Sequence, residues 1–564
     1  MRIFRSRSLS QGVIALWLLV AAPLAAMAQT VPGPADAGRV RPPARVPAPA
    51  PAPTVPLAVP DAQPLAPIPK GADGIHFTLN GVRILGATAF APETLADITT
   101  PFLHQTISLA DAYRMAHQIT QRYRDAGYFL SLAYLPDQRM ADGIVTLQVL
   151  EGYIGEVILP ESLQDEAIVQ AQMERLRAEK PLSARQLESA LLRLNDLPGY
   201  AVSGTLSSLD GAKDGAVRLT LAATKTPGRG QLGFDNASSR FLGPHEATLS
   251  YTQSLLPLQQ TRFTGLNSLP TRKLNYATLG HAVAIAPDTL LDVAGSFTKA
   301  QPGFTLDALD IDSDSTFLSA GLRYQWLRQR DENLAFALSF DSRNTNSDLL
   351  DAAFTRDHIR ALRVNASYDI ADAWRGTNTA TLTLSQGIAG LGASKKGGAN
   401  LSRAQADPDF TKAELSLTRL QGLTGGWSLL LAASAQAASG PLFSAEEFGY
   451  GGQSFGRAFD ASELAGDHGA TGALELRYGG WNAAELAQFS PYAFYDIGIV
   501  WNEDTAQAKR QSGASIGLGM RATTVWDVTG NLGLAWPLMR DVATPIYGGS
   551  TRAPRLLLQI SKDF

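Results

Sequence analysis

Phe317-Leu318-Ser319-Ala320-Gly321-Leu322-Arg323-Tyr324-Gln325-Trp326 changes character at every step. In an extended chain, Leu318, Ala320, Leu322, Tyr324 and Trp326 fall on one face, and Ser319, Gly321, Arg323 and Gln325 on the other. The same alternation runs through Ser515 to Thr523 and through Arg555 to Phe564. About sixteen such segments can be marked, starting near Gly230, His245, Gln260, Asn275, Leu290, Thr316, Leu334, Ile359, Asn378, Phe410, Trp427, Thr471, Ser490, Gly513, Trp526 and Pro554. A soluble β-sandwich also alternates, so strand length and number must decide. Residues 226–564 allow roughly 21 residues per strand plus connection, and membrane strands use about 9–11 and come in even numbers. The expectation is a 16-stranded antiparallel transmembrane β-barrel with an apolar exterior and a polar lumen.

Composition agrees. The chain has 564 residues, 48 Lys plus Arg against 52 Asp plus Glu, and a net charge of −4. A near-neutral balance argues against a nucleic-acid binder, which carries a basic face. Charged residues are 18%, below the roughly 25% of soluble domains, while the hydrophobic share is an ordinary 45%. There is no cysteine, which removes disulfides, thiolate metal sites and cysteine nucleophiles.

The N-terminus reads as an address. Arg2, Arg5 and Arg7 precede an apolar run from Val13 to Ala22, and Ala26-Met27-Ala28 is a cleavage site, so residues 1–28 are expected to be a secretory signal. Residues 29–73 are rich in Pro and Ala, as in Ala48-Pro49-Ala50-Pro51-Ala52-Pro53. They are read as a disordered, extended tether that buries nothing and is too rich in Pro to form a plug helix.

Two smaller units follow, at 74–152 and 153–225. In the first, Ile75 to Ile84 alternates, Pro92 to Leu103 and Leu109 to Asp125 have helical spacing, and Ser108 with Asp111 forms a capping pattern. Tyr128 to Leu135 and Ile144 to Leu150 read as strands. The order β-α-α-β-β repeats in the second unit, with Gln164–Ala178 and a helix capped by Ser183. Asp125-Ala126-Gly127-Tyr128 and Asp196-Leu197-Pro198-Gly199-Tyr200 lead into corresponding strands. The pair resembles tandem polypeptide-transport-associated (POTRA) domains. That resemblance implies capture of extended clients by strand addition at a sheet edge.

From about residue 75 to 564 the chain resembles the outer-membrane transporters of two-partner secretion, the TpsB haemolysin secretion/activation type, within the Omp85 superfamily. The most specific residues lie between the eleventh and twelfth strands, in a sixth surface loop at about 439–469. There Gly451-Gly452 precede Gly456-Arg457-Ala458-Phe459. In the superfamily this loop folds into the lumen and carries Val-Arg-Gly-Phe or Val-Arg-Gly-Tyr. Here the Arg and the aromatic match, and the first and third positions depart. Ala tolerates positive φ far less readily than Gly. The resemblance pairs Arg457 with Asp496, which stands in Phe494-Tyr495-Asp496-Ile497-Gly498 on the thirteenth strand. Parity agrees, because Ala493, Tyr495, Ile497, Ile499 and Trp501 form one apolar face and leave Asp496 to the lumen. The terminal Phe564 matches the family's assembly signal.

Implied partners are a large secreted exoprotein, β-helical and TpsA-like, outer-membrane lipid and lipopolysaccharide, and the barrel assembly machinery during insertion. A monomer is expected, with no nucleic acid, no metal and no cofactor. The rival from the same superfamily is an outer-membrane protein assembly factor.

Enzyme signals are weak. Gly513-Ala514-Ser515-Ile516-Gly517 has the Gly-x-Ser-x-Gly form, but it lies inside an alternating strand and not at a strand-to-helix turn. The seven His residues show no zinc-binding spacing. No enzyme activity is expected.

Overall fold

The computed structural model describes residues 31–40, 57–58, 65, 67–209, 214–270, 273–483, 485–504, 507–542 and 550–564. The expected signal at 1–28 lies outside the described residues.

The first α/β unit begins with His76–Thr78, paired with Thr106–Ser108, and Gly81–Leu85. A helix at Pro92–Thr99 and a 3-10 turn at Thr100–Phe102 replace the single helix expected over this stretch, and Pro101 is what breaks it. The second helix, Leu109–Asp125, is as read. Ser108 and Asp111 cap each other's backbone N–H groups, so two orphan donors are satisfied at once. Met115, Ala116, Ile119 and Tyr123 bury one helical face. Gly127, at φ +89°, takes the left-handed turn that stops the helix. Only Leu132–Tyr134 of the expected Tyr128–Leu135 strand pairs, antiparallel to Ile144–Leu150, which also pairs in parallel with Gly81–Leu85.

The second unit repeats the arrangement. Tyr153–Ile158 runs parallel to Ala216–Lys225, which is antiparallel to Tyr200–Ser208. The helices are Ala167–Ala178 and Ala184–Asp196, the latter with a reciprocal Ser183–Gln186 cap. Its core includes Leu187, Leu191, Leu194, Val202 and Leu219, and reaches Leu258 and Ala284 of the barrel rim. Arg328 binds Asp196 through Nε and Nη2, at 2.6 and 2.8 Å. Arg193 Nη1 donates to the Gln325 carbonyl at 2.8 Å. The second unit is therefore seated on the turns after strands two, four and six.

The sixteen barrel strands are Arg229–Asp235, His245–Gln253, Gln259–Leu269, Leu274–Ala286, Thr289–Ala300, Ile311–Arg328, Glu332–Leu349, Ala352–Ala371, Gly376–Gly387, Thr411–Gly422, Trp427–Ala438, His468–Tyr478, Ala487–Trp501, Arg510–Thr524, Val528–Pro537 and Arg555–Asp563. The twelfth resumes briefly as Trp481–Ala483. Each strand pairs antiparallel with its neighbours, and the first pairs with the last, so the barrel has no open edge. Leu318, Leu322, Tyr324 and Trp326 are exposed on the outside. Trp326, Trp374, Trp427, Trp481 and Trp526 all lie at the turn-side rim and form an interfacial aromatic belt.

One expectation fails. The composition of the Pro/Ala-rich stretch predicts that it buries nothing, yet residues 31–40 lie inside the barrel. They form two 3-10 turns, Gly33–Ala35 and Ala37–Arg39, with Ala35 and Ala37 fully buried. Within these ten residues proline occurs only at 32 and 34. The following Ala-Asp-Ala-Gly is small enough for a crowded lumen, and Asp36 Oδ1 accepts from Gly38 N at 2.7 Å, which supplies a local cap. A second piece of the tether, Leu57–Ala58, pairs in parallel with Gly204–Thr205 at the edge of the second unit's sheet.

Candidate functional site: the sixth loop inside the barrel

The loop joining strands eleven and twelve turns inward instead of standing clear of the barrel. Its arms form a small hairpin, Phe448–Tyr450 with Leu464–Gly466. Beyond it the chain folds on itself: Gly451 N donates to the Phe455 carbonyl and Gly452 N to the Phe459 carbonyl, both at 3.1 Å. Gly451 and Gly452 have positive φ, and so does Gly456, at +75°. Ala458 does not. The left-handed residue of this loop tip is thus Gly456, and the alanine that departs from the superfamily signature carries no backbone strain.

Arg457 reaches the wall. Its Nη2 donates to Asp496 Oδ1 at 2.8 Å, its Nε to Asp496 Oδ2 at 3.1 Å, and its backbone N to the same Oδ2 at 3.1 Å. Two parallel guanidinium bonds fix orientation as well as distance. Arg457 Cζ also lies 3.5 Å from the centre of the Phe494 ring. Asp496 is fully buried, and Ser515 Oγ donates to its Oδ2 at 3.1 Å. The serine of the Gly-x-Ser-x-Gly string therefore supports a carboxylate from mid-strand. Gly498 lies against the Tyr450 ring, where a Cβ would come within 2.2 Å of it. The wall motif thus supplies one anion, one aromatic platform and one gap.

Glu475 was not singled out in the sequence. It accepts from Arg457 Nη1, and also from Arg477 Nε and Arg521 Nη2, both at 2.7 Å. Its signal was available: in Leu474-Glu475-Leu476-Arg477-Tyr478, period two sends both charges to the lumen. Further along the loop, Asp460 pairs with Arg240 at 2.9 Å and Arg555 at 3.2 Å. At the loop's root, Glu446 meets Arg363 at 2.6 Å and Lys412 at 2.9 Å, and Arg403 Nη2 donates to Asp467 Oδ2 at 3.0 Å. The loop's carboxylates Glu446, Asp460 and Asp467 are thus held by cations of the barrel and its connections, while its tip presents one cation, Arg457, to two carboxylates of the wall. None of these pairs was legible before the fold, because their members lie far apart in sequence.

The N-terminal segment packs against the same loop. Arg39 Nη1 lies 3.0 Å from Glu447 Oε2, Ser444 donates to Asp36, and Arg343 Nη1 donates to the Gly38 carbonyl at 2.9 Å. Phe564 sits apart, exposed on the outer surface, its backbone exchanging hydrogen bonds with Gly230 at 2.7 and 2.9 Å. Among the described residues, no cluster of His, Asp and Glu could hold a metal ion.

Residues 77–152 match the family model of the ShlB-type POTRA domain, and residues 290–520 that of the haemolysin secretion/activation protein ShlB/FhaC/HecB. The chain belongs to this family of outer-membrane transporters. The outer membrane transporter CdiB of Dickeya dadantii (strain 3937) is 23% identical over 484 residues, covering 82% of this chain and 83% of the relative. The heme/hemopexin transporter protein HuxB of Haemophilus influenzae is 23% identical over 503 residues, covering 83% and 85%. The solved structure of CdiB from Escherichia coli shares the fold with a TM-score of 0.70 at 19% identity, covering 89% of this chain and 94% of that one. Family membership puts the barrel in the outer membrane and the POTRA unit in the periplasm, and makes the chain a transporter of secreted partner proteins rather than an enzyme. The family model covers the first α/β unit; the second shares its element order.

Proposed function

We propose that this chain exports one large, β-rich exoprotein across the outer membrane without nucleotide, and that the sixth loop is its gate. The carrying observation is the bidentate Arg457–Asp496 pair, which seats the loop tip against the inner wall. Both α/β units act as POTRA domains and capture the client as an extended chain. The Leu57–Ala58 pairing supports this mode, since it is a short parallel strand added to the sheet edge a client strand would use. In the resting state the chain's own tether holds that edge and residues 31–40 fill part of the lumen. Client binding displaces the tether, the loop tip leaves Asp496, and the extended client crosses a polar lumen that keeps its backbone hydrated. Folding outside gives direction. The domain plan behind this reading is signal 1–28, tether 29–73, POTRA units 74–152 and 153–225, and barrel 226–564.

The test is co-expression with a candidate client, a large β-rich protein carrying its own secretion signal. Surface delivery of that protein should require the chain and should fall when Arg457 is replaced by Ala. If the client stays in the periplasm while the chain accelerates folding of unrelated barrels, the assembly reading replaces this one.

A further inference from the structure

Glu475 has more cationic partners than it needs. Its side chain is 3% exposed, and three guanidinium groups converge on it. Arg457 uses Oε2, while Arg477 and Arg521 share Oε1. Only Arg457 belongs to the loop. Arg477 is a neighbour on strand twelve, and Arg521 comes from strand fourteen, where its Cζ lies 4.1 Å from the Tyr492 ring centre. The four side chains line one cavity of about 320 Å³ beside the loop tip.

Asp496 is built differently. Apart from Arg457 it receives one hydroxyl, from Ser515. If the loop tip withdraws, Asp496 becomes a buried carboxylate without a countercharge, which is strongly unfavourable. Glu475 in the same event keeps two guanidinium partners. The two wall carboxylates therefore oppose release to different degrees.

We propose that Arg477 and Arg521 are positioning residues that set how readily the sixth loop lets go, by keeping Glu475 neutralised when Arg457 leaves. Both belong to the barrel wall and not to the loop. They act by competing with Arg457 for one carboxylate and so make a two-anion lock releasable. This rests on the gate reading of Arg457 given above. It carries an unusual sign: deleting wall cations outside the loop should tighten the gate, because Glu475 would then depend on Arg457 alone.

The experiment is single-channel recording on the full-length chain in planar bilayers, with barrel folding checked by heat-modifiable migration. Arg477→Gln with Arg521→Gln should lengthen the mean closed time at least five-fold, each single change should lengthen it in part, and Lys at both positions should restore the wild-type value. In a Glu475→Gln background the paired change should lengthen it no further. Closed times equal to or shorter than wild type in the folded singles or the folded pair overturn the proposal. Arg457→Ala separates the two claims. If it opens no more often than wild type, the gate reading itself fails; if it opens more often while the arginine pair does not close the pore, only the present proposal falls.

Discussion

Asp496 accepts three hydrogen bonds from a single residue: Arg457 donates its Nη2 at 2.8 Å and its Nε and backbone N at 3.1 Å each. A side chain and a main chain from one loop residue thus converge on one carboxylate of the wall, which fixes the direction of the loop tip as well as its position.

The first prediction concerns the strength of that hold. Asp496→Asn removes one of the two buried anions opposite Arg457, leaving Glu475, and should weaken loop seating by about 1.5–3 kcal/mol. Ser515→Ala removes one neutral donor to the same oxygen and should cost about 0.5–1.5 kcal/mol. Chemical denaturation of loop protection against protease, compared across the two variants, reads this order. Equal effects would contradict it.

The second concerns Gly456. A Cβ there would come within 2.6 Å of the Tyr450 ring, and φ is +75°. Gly456→Ala should destabilise the seated loop by at least about 1–2 kcal/mol. Ala458→Gly should change it little, since Ala458 holds an ordinary backbone. Limited proteolysis of the two variants should cleave only the first within the loop.

The third concerns the lumen segment. A Cβ on Gly38 would lie 2.9 Å from Thr345 Oγ1 and 3.2 Å from Ala445 Cβ. Gly38→Val should expel residues 31–40 and raise the conductance of the full chain. Arg39→Ala, which leaves the buried Glu447 with less countercharge, should act in the same direction. Unchanged conductance in Gly38→Val would show that the segment does not obstruct the pore.

The fourth concerns the first periplasmic unit. Burial pushes the Glu151 carboxyl up, but donors from Thr88, Ala89 and Tyr123 outweigh it and hold the group below its usual value. A depressed folded value contributes stability above the unfolded value, near pH 4.3–4.5, that is lost as pH falls through the folded one. Glu151→Gln should remove that pH dependence and cost about 1–3 kcal/mol at neutral pH. Thermal unfolding of wild type and variant between pH 3 and 7 checks both parts.

Much of the fold was legible because strand periodicity in a barrel is local. The alternation around Leu318 and Tyr324 needed no partner to be read, and the parity that sent Asp496 inward needed only its neighbours. Capping was legible for the same reason, since Ser108 and Asp111 are three residues apart. What sequence missed depends on closure. Glu475, Arg521 and Arg457 meet only after strands twelve and fourteen close into one wall and the loop folds in against it. The burial of residues 31–40 is hidden by the proline density of the whole tether, whereas packing in the lumen depends on the few small residues after Pro34.

The central claim is that Arg457 and Asp496 hold the sixth loop inside the barrel, and the absence of native cysteine makes one measurement direct. Ala458 is 4% exposed in the seated loop. With Ala458→Cys as the single thiol in the full-length chain, the rate of labelling by a water-soluble maleimide reports withdrawal of the loop tip. Labelling is expected to be slow in the otherwise native chain and at least ten-fold faster when Asp496→Asn is added. Equal rates in the two chains would contradict it.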